Sequence, residues 1–412
     1  MGRANTLFKR KLGVFAYPEL TPLWIAVFVD ILGFSILIPF LPFFGQTFGA
    51  PPWQVGLLMS TNALFGFFSG PIWGQLSDRY GRKPILLICQ LGTMIGFLML
   101  AFSRSLTMLF ISRIVDGIFG GNYPIAKAMV GDVVPPKARS EQMSNIGIAH
   151  VLSSLIGPGL GGLLSQWGIL APGLFSAALS LGTILLTLFR VRESNPREKR
   201  IAHGQPSSGG PGPEIQSVWR NRAARALLIQ WGFHTVSFMV YISCVSLFAN
   251  LKLGLDARQT GTTLMIAGVV RVFVRFVIFV PLLRWLGDRR TLTLGLTMFV
   301  LVFLALGFVQ TRVQFVLVLC GVSFAAACTR GVMNGFMSRA VQPRQQGQIM
   351  GFSASLDSLA QILGPVIGGY VLGAYPIWTY GALASVFALG AFLMLFLRPV
   401  SASGQHVHEE MA

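Results

Sequence analysis

The sequence predicts an all-α polytopic membrane protein with twelve transmembrane helices in two pseudo-symmetric six-helix bundles. Three observations predict it. Of 412 residues, 53% are hydrophobic and 11% charged, where a soluble chain carries about 25% charged residues to cover its surface. The apolar residues fall in continuous runs near the roughly 20 residues that span a bilayer as helix, without the alternation of a transmembrane β-barrel. The second half of the chain also repeats the first at an offset of 206 to 207 residues.

In chain order, the apolar runs place spans near residues 22–44, 57–76, 84–103, 107–130, 146–166 and 171–190. A second set lies near 223–249, 259–286, 291–309, 313–337, 347–373 and 377–397. The first span is too long and too late for a cleaved signal peptide and lacks a small-residue cleavage site. Between the sets lies the only long polar stretch, Arg190 to Arg222, whose Gly204, Pro206, Ser207, Gly209, Pro211 and Pro213 read as a flexible linker. The expected organisation is an N-terminal bundle at 1–190, a cytoplasmic linker at 191–222, a C-terminal bundle at 223–400 and a cytoplasmic tail at 401–412. Cys89, Cys244, Cys320 and Cys328 all lie inside apolar runs without CxxC spacing and read as small buried residues.

The formal charge is +18, from 32 Lys and Arg against 14 Asp and Glu. In a soluble chain such an excess points to nucleic acid. Here, with the N-terminus in the cytoplasm, the cytoplasmic segments hold 23 of the 32 basic residues, the opposite side holds four (Arg104, Lys252, Arg258, Arg312) and five lie inside spans. Basic residues concentrate in cytoplasmic loops. The count therefore orients both termini into the cytoplasm and requires no nucleic-acid partner; for a bacterial-type cell the membrane is the plasma membrane.

The repeat is clearest at Gly157-Pro158 and Gly161-Gly162, which return 207 residues later as Gly364-Pro365 and Gly368-Gly369; Gly81 returns at 206 as Gly287. Two related halves imply a cavity between them. Gly157, Gly159 and Gly162 also satisfy GxGxxG, but inside a span they read as close-packing sites beside a bend at Pro158. Gly66, Gly70 and Gly74, spaced by four, read as another packing face.

The loop after the second span reads Gly74-Gln75-Leu76-Ser77-Asp78-Arg79-Tyr80-Gly81-Arg82-Lys83. Its acid can cap a helix N-terminus or pair with Arg, latching one conformation. The stretch resembles the GxLaDrxGrk signature of the major facilitator superfamily. Leu109, Arg113 and Gly117 resemble that family's LxxxRxxqG signature, with Asp116 where Gln is usual. Gly157-Pro158 through Gly161-Gly162 resembles its antiporter motif GPxxGG, with Ser144 and Ser153 in place of the earlier glycines. Asp30-Ile31-Leu32-Gly33 through Pro39 and Pro42 is similar to the first span of twelve-span drug:proton antiporters, tetracycline exporters included. The resemblance implies a transporter able to work as a monomer, with Gly74, Asp78, Arg79, Gly81, Arg82 and Lys83 as a conformational latch and Arg113 linked to proton coupling. The second copy of the loop has Arg284 where Asp78 would return, so the latches are not equivalent.

Ionisable groups inside a span mark function by default. They are Asp30, Arg113, Asp116, Lys127, His150, His234, Arg271, Arg275, Arg330 and Asp357. Asp30 is the first proton-site candidate, because low dielectric favours a carboxylate's neutral form and a neighbouring Arg reverses this. Arg113 is its expected partner, although Asp116, three residues on, can hold Arg113 instead. Arg271 and Arg275, four apart on one face, repel unless an anion lies between them: Asp357, another acid or the substrate. Five bases against three acids in the spans favour an anionic or zwitterionic substrate over a simple cation. His150 and Asp357 are repeat equivalents at 207, and with His234 and Arg330 they are either cavity residues or packing residues.

Met1-Gly2 with Thr6 fits a myristoylation pattern that a polytopic protein does not need as an anchor. His406, His408, Glu409 and Glu410 read as a terminal tail and not as a metal site. Without HExxH, GxSxG or a Walker loop, the expectation is no enzyme, no cofactor and no metal. The function predicted is a secondary transporter exchanging an amphiphilic small molecule or drug for protons by alternating access. Its rivals are a lipid or organic-anion carrier, a proton symporter and a non-transporting membrane receptor.

Overall fold

The structure, a computed structural model, describes residues 17–168, 170–196, 218–342 and 345–396. The myristoylation pattern, the glycine- and proline-rich centre of the linker and the 401–412 tail lie outside the described residues.

The first half contains α1 (Thr21–Leu37), α2 (Leu41–Thr47), α3 (Pro52–Tyr80), α4 (Arg82–Ala101), α5 (Leu106–Ile118), α6 (Asn122–Val133), α7 (Pro136–Leu164) and α8 (Leu170–Arg190). The second contains α9 (Arg222–Leu253), α10 (Ala257–Phe273), α11 (Phe279–Gly307), α12 (Arg312–Arg339), α13 (Gln346–Ala374) and α14 (Trp378–Leu393). A π-helical turn at Val274–Ile278 joins α10 to α11. Among the described residues, eight helical stretches are long and apolar enough to cross a membrane, and they overlap nine of the sequence-predicted spans. The other three differ. The span at 107–130 breaks into α5 and α6, α7 begins with a polar stretch, and α14 has 16 residues.

The boundaries follow local chemistry. Pro39 and Pro42 accompany the break between α1 and α2, since proline lacks the N–H of a continuing helix. Gly81 has φ +110° between α3 and α4, and Gly287 has φ +75° inside α11, a conformation glycine adopts without steric penalty. The repeat thus places the same backbone bend after corresponding helices. Asp256 with Gln259 and Thr311 with Gln314 form capping boxes that start α10 and α12.

Within the first half, α1 packs on α7 and α8, and α4 packs on α5 and α8. Within the second, α9 packs on α13 and α14, and α11 on α12 and α14. Two seams join the halves, α3 against α13 and α7 against α10. The repeated glycines divide their work between these surfaces. Gly157 and Gly161 lie against Ser35 and Phe40 of the α1 region, while Gly364 and Gly368 lie against Met239 and Cys244 of α9. Gly162 instead meets Gly261 of α10, and its equivalent Gly369 meets Gly56 of α3. A Cβ on Gly261 would strike the carbonyl oxygen of Pro158, and one on Gly56 that of Pro365. Both seams are closest at the ends next to the loops near 50, 167, 255 and 375. Ala50 and Val55 enter the apolar core around Phe248 and Phe303, so the α3–α13 end is sealed by hydrophobic contact.

The second glycine face expected from sequence is not a packing face here. The Cβ positions of Gly70 and Gly74 have nothing within 4 Å, and that of Gly66 meets only the Gly117 carbonyl oxygen at 3.7 Å.

Candidate functional site

The break between α5 and α6 is built by α3. Ser69 Oγ donates to the Gly117 carbonyl at 3.0 Å and Trp73 Nε1 donates to that of Ile118. The ring of Phe119 stacks on Trp73 with centroids 5.5 Å apart. Carbonyls released from a helix inside an apolar layer need such partners. The polar side chains of the two helical pieces then meet different neighbours.

On α5, Arg113 Nη1 donates to Asp116 Oδ2 at 3.2 Å, and Asn62 of α3 donates to the same oxygen at 2.7 Å. Arg113 and Asp116 are buried, the guanidinium lies 5.9 Å from the Phe97 ring centroid, and Arg113 Nη2 has no hydrogen-bond partner. On α6, Asn122 Nδ2 donates to both oxygens of Asp30, at 3.0 and 3.2 Å, and to Thr93 Oγ1 at 3.4 Å. Asp30, Leu23, Gln90, Asn122 and Tyr123 line a cavity of about 20 Å³, room for about one water-sized group. The expected Asp30–Arg113 pair is therefore not made. Asp116 holds Arg113 within one helix, and the break puts a neutral amide, Asn122, on Asp30.

In the second half, Asp357 of α13 accepts from Thr235 Oγ1 at 2.7 Å and from Trp231 Nε1 at 3.1 Å, and pairs with Arg330 of α12 at 2.6 Å. The Arg330 guanidinium covers Trp231 at 5.2 Å. Asp357 is thus not the anion between Arg271 and Arg275. Arg271 lies over Phe238 at 5.9 Å, whereas Arg275, in the π turn, lies over Phe279 at 4.6 Å. The wider π turn removes the simple one-face register that a four-residue α-helical spacing implies. His234 is buried edge-on to Phe299 at 5.2 Å, a packing environment. His150 lies on α7, and its side chain is outside those described. Lys127 is exposed and lies over Tyr123 at 4.3 Å.

The Gly74 to Lys83 loop makes its polar contacts within its own half. Arg82 pairs with Asp78 at 2.6 Å and Asp132 at 3.0 Å, and donates to Ser77 Oγ at 2.8 Å. Arg79 lies over Tyr80. Lys83 Nζ donates to the Leu188 carbonyl. Of the two roles open to Asp78, capping a helix or pairing with Arg, it makes the Arg pair, and the helix cap comes from Glu193, whose carboxylate accepts the backbone N–H groups of Arg82 at 3.0 Å and Lys83 at 3.1 Å. Sequence reading missed Asn62, Asn122, Asp132 and Glu193. Asn62 and Asn122 carried one available signal, a side-chain amide inside an apolar run.

Two helical halves joined along glycine seams, each with a polar cluster, form the two-bundle architecture of membrane transporters. The chain belongs to the Major Facilitator Superfamily, whose sequence profile matches residues 23–308 and 276–411. Its relatives include tetracycline resistance protein class H of Pasteurella multocida, 26% identical over 364 residues that cover 86% of this chain and 90% of that protein. Multidrug resistance protein MdtG of Proteus mirabilis is 28% identical over 375 residues, covering 85% and 88%. Among solved structures, the human organic anion transporter TETRAN is similar with TM-score 0.66 and 23% identity, over 92% of this chain and 99% of that one. A bacterial homologue of the human lysosomal transporter Spinster is similar with TM-score 0.71 and 17% identity, over 92% and 96%. Both curated relatives are named for drug resistance.

Proposed function

We propose that the chain crosses the plasma membrane twelve times with both termini in the cytoplasm, and exports an amphiphilic small molecule in exchange for protons. The moving bodies are the halves at 1–190 and 223–400. The observation that carries this reading is the Asp30–Asn122 contact beside a water-sized cavity. An amide serves both protonation states: its NH₂ donates to a carboxylate, and its carbonyl oxygen, unpartnered here, accepts from a carboxylic acid once the amide turns. With both termini inside, the close glycine seams lie at the outer end. The conformation is then closed outward, and among the described residues the latch loop keeps its polar contacts within its own half. Rocking the halves parts the glycines and carries that loop toward the second bundle.

The relatives' names, tetracycline resistance and multidrug resistance, support export. The test is proton release in everted vesicles under an imposed pH gradient, with a panel of cationic, zwitterionic and anionic amphiphiles. Substrate-triggered release that disappears in Asp30→Asn is expected. Silence from folded, correctly oriented protein sinks the antiport reading. An organic-anion cargo is the second reading, favoured by Arg271 and Arg275 and by the named substrates of TETRAN.

A further inference from the structure

The described residues of the second half hold three acids, and each is already engaged. Asp256 accepts the Gln259 N–H at the start of α10, Asp288 pairs with Arg339, and Asp357 pairs with Arg330. Arg271 and Arg275 have neither an ion pair nor a hydrogen bond among the described residues, and Arg271 Nε is buried. Each guanidinium instead rests on an aromatic ring, Phe238 for Arg271 and Phe279 for Arg275. Arg275 also reaches Gly331, the neighbour of Arg330: a Cβ there would stand 3.3 Å from Arg275 Nη1.

A cation in an apolar layer without a counter-ion is strongly disfavoured. Stacking satisfies the flat face of a guanidinium and leaves its N–H edge free for a planar oxyanion. The π turn adds a reason to look here, because such turns recur at functional sites.

We propose that Arg271 and Arg275 form the anion-binding end of the substrate site, taking the carboxylate or sulfonate of an aromatic amphiphile whose ring packs among the neighbouring aromatic side chains. The role of this site in a transport cycle rests on the antiport reading above; the binding itself does not.

The test uses the purified full chain in uncharged detergent and calorimetric binding of 2-naphthoate against its neutral isostere 2-naphthamide. The carboxylate is expected to bind at least tenfold more tightly. That preference should vanish in Arg271→Gln/Arg275→Gln, survive in Arg271→Lys, and be unchanged in the surface control Arg339→Gln. Should the double variant fail to fold, the wild-type ligand pair and the Lys variant still decide the matter. Equal affinity for carboxylate and amide overturns the proposal. So does displacement of naphthoate by phosphatidylglycerol but not phosphatidylcholine, which would make this a lipid headgroup site. Retained naphthoate binding with no proton release would sink antiport and leave the anion site standing.

Discussion

Asp288 pairs with Arg339 at the two positions, 206 and 207 residues on, where the first half pairs Arg82 with Asp132. The repeat keeps the inter-helix bond and exchanges its charges. In the second half the acid stands just after the Gly287 bend and Arg339 ends α12, the arrangement a helix dipole favours at each end. In the first half the signs oppose the dipoles: Arg82 and Lys83 open α4, and Asp132 sits in the last turn of α6. Glu193 offsets this by bringing a carboxylate to the α4 N-terminus.

The two pairs should differ in strength because they differ in burial. Asp288–Arg339 is exposed, with side chains 38% and 60% accessible, and Asp288→Asn should change stability by under about 1 kcal/mol. Arg82 is 11% accessible, and Asp132→Asn or Glu193→Gln should each remove about 1.5–3 kcal/mol, as for hydrogen bonds to charged groups. Thermal unfolding in detergent distinguishes these outcomes. A larger loss for Asp288→Asn would refute the argument from burial and show the helix dipoles to dominate.

The glycine seams give a second contrast. Gly56→Ala places a Cβ on the Pro365 carbonyl, a backbone atom that cannot swing aside, and should destabilise by about 1–3 kcal/mol. Gly70→Ala meets open space on the same helix and should stay within about 0.5 kcal/mol of wild type. The same melts report both. Equal effects would mean the α3–α13 contact is not close in solution.

Glycine and proline act through the backbone, and so their spacing is legible in sequence: the glycines of the 207-residue repeat lie against equivalent neighbours in the two halves. Partners of charged residues were not legible, because they depend on how each helix is rotated. The α5–α6 break is made by Ser69 and Trp73, distant in sequence, and it hands Asp30 to an uncharged residue. The π turn at Val274–Ile278 likewise changes the register between Arg271 and Arg275 from the α-helical one their spacing suggested. Charge counting found Asp357, and only packing shows that Arg330, Trp231 and Thr235 all claim it.

Arg113 has Asp116 as its one ion-pair partner among the described residues. Asp116→Asn leaves a buried cation uncompensated and should cost about 3–5 kcal/mol. Asn62→Leu keeps the ion pair and removes one hydrogen bond to a charged group, a loss of about 1.5–3 kcal/mol. Adding Arg113→Leu to Asp116→Asn should recover part of the first loss, because the buried charge goes too. A double variant no more stable than Asp116→Asn would show that Arg113 finds another partner.

Asp30 and Asn122 separate proton coupling from substrate movement. Asp30→Asn fixes a neutral side chain in the same volume, so the chain should still exchange labelled substrate across a vesicle without any pH gradient, while gradient-driven accumulation is lost. Asn122→Leu removes the amide that meets either protonation state and leaves Asp30 in place. It should shift the pH dependence of transport without erasing coupling. Exchange and accumulation falling together in Asp30→Asn would assign that carboxylate to the substrate path or to the fold. An Asn122→Leu protein with an unmoved pH profile would show that the amide does not sense the proton on Asp30.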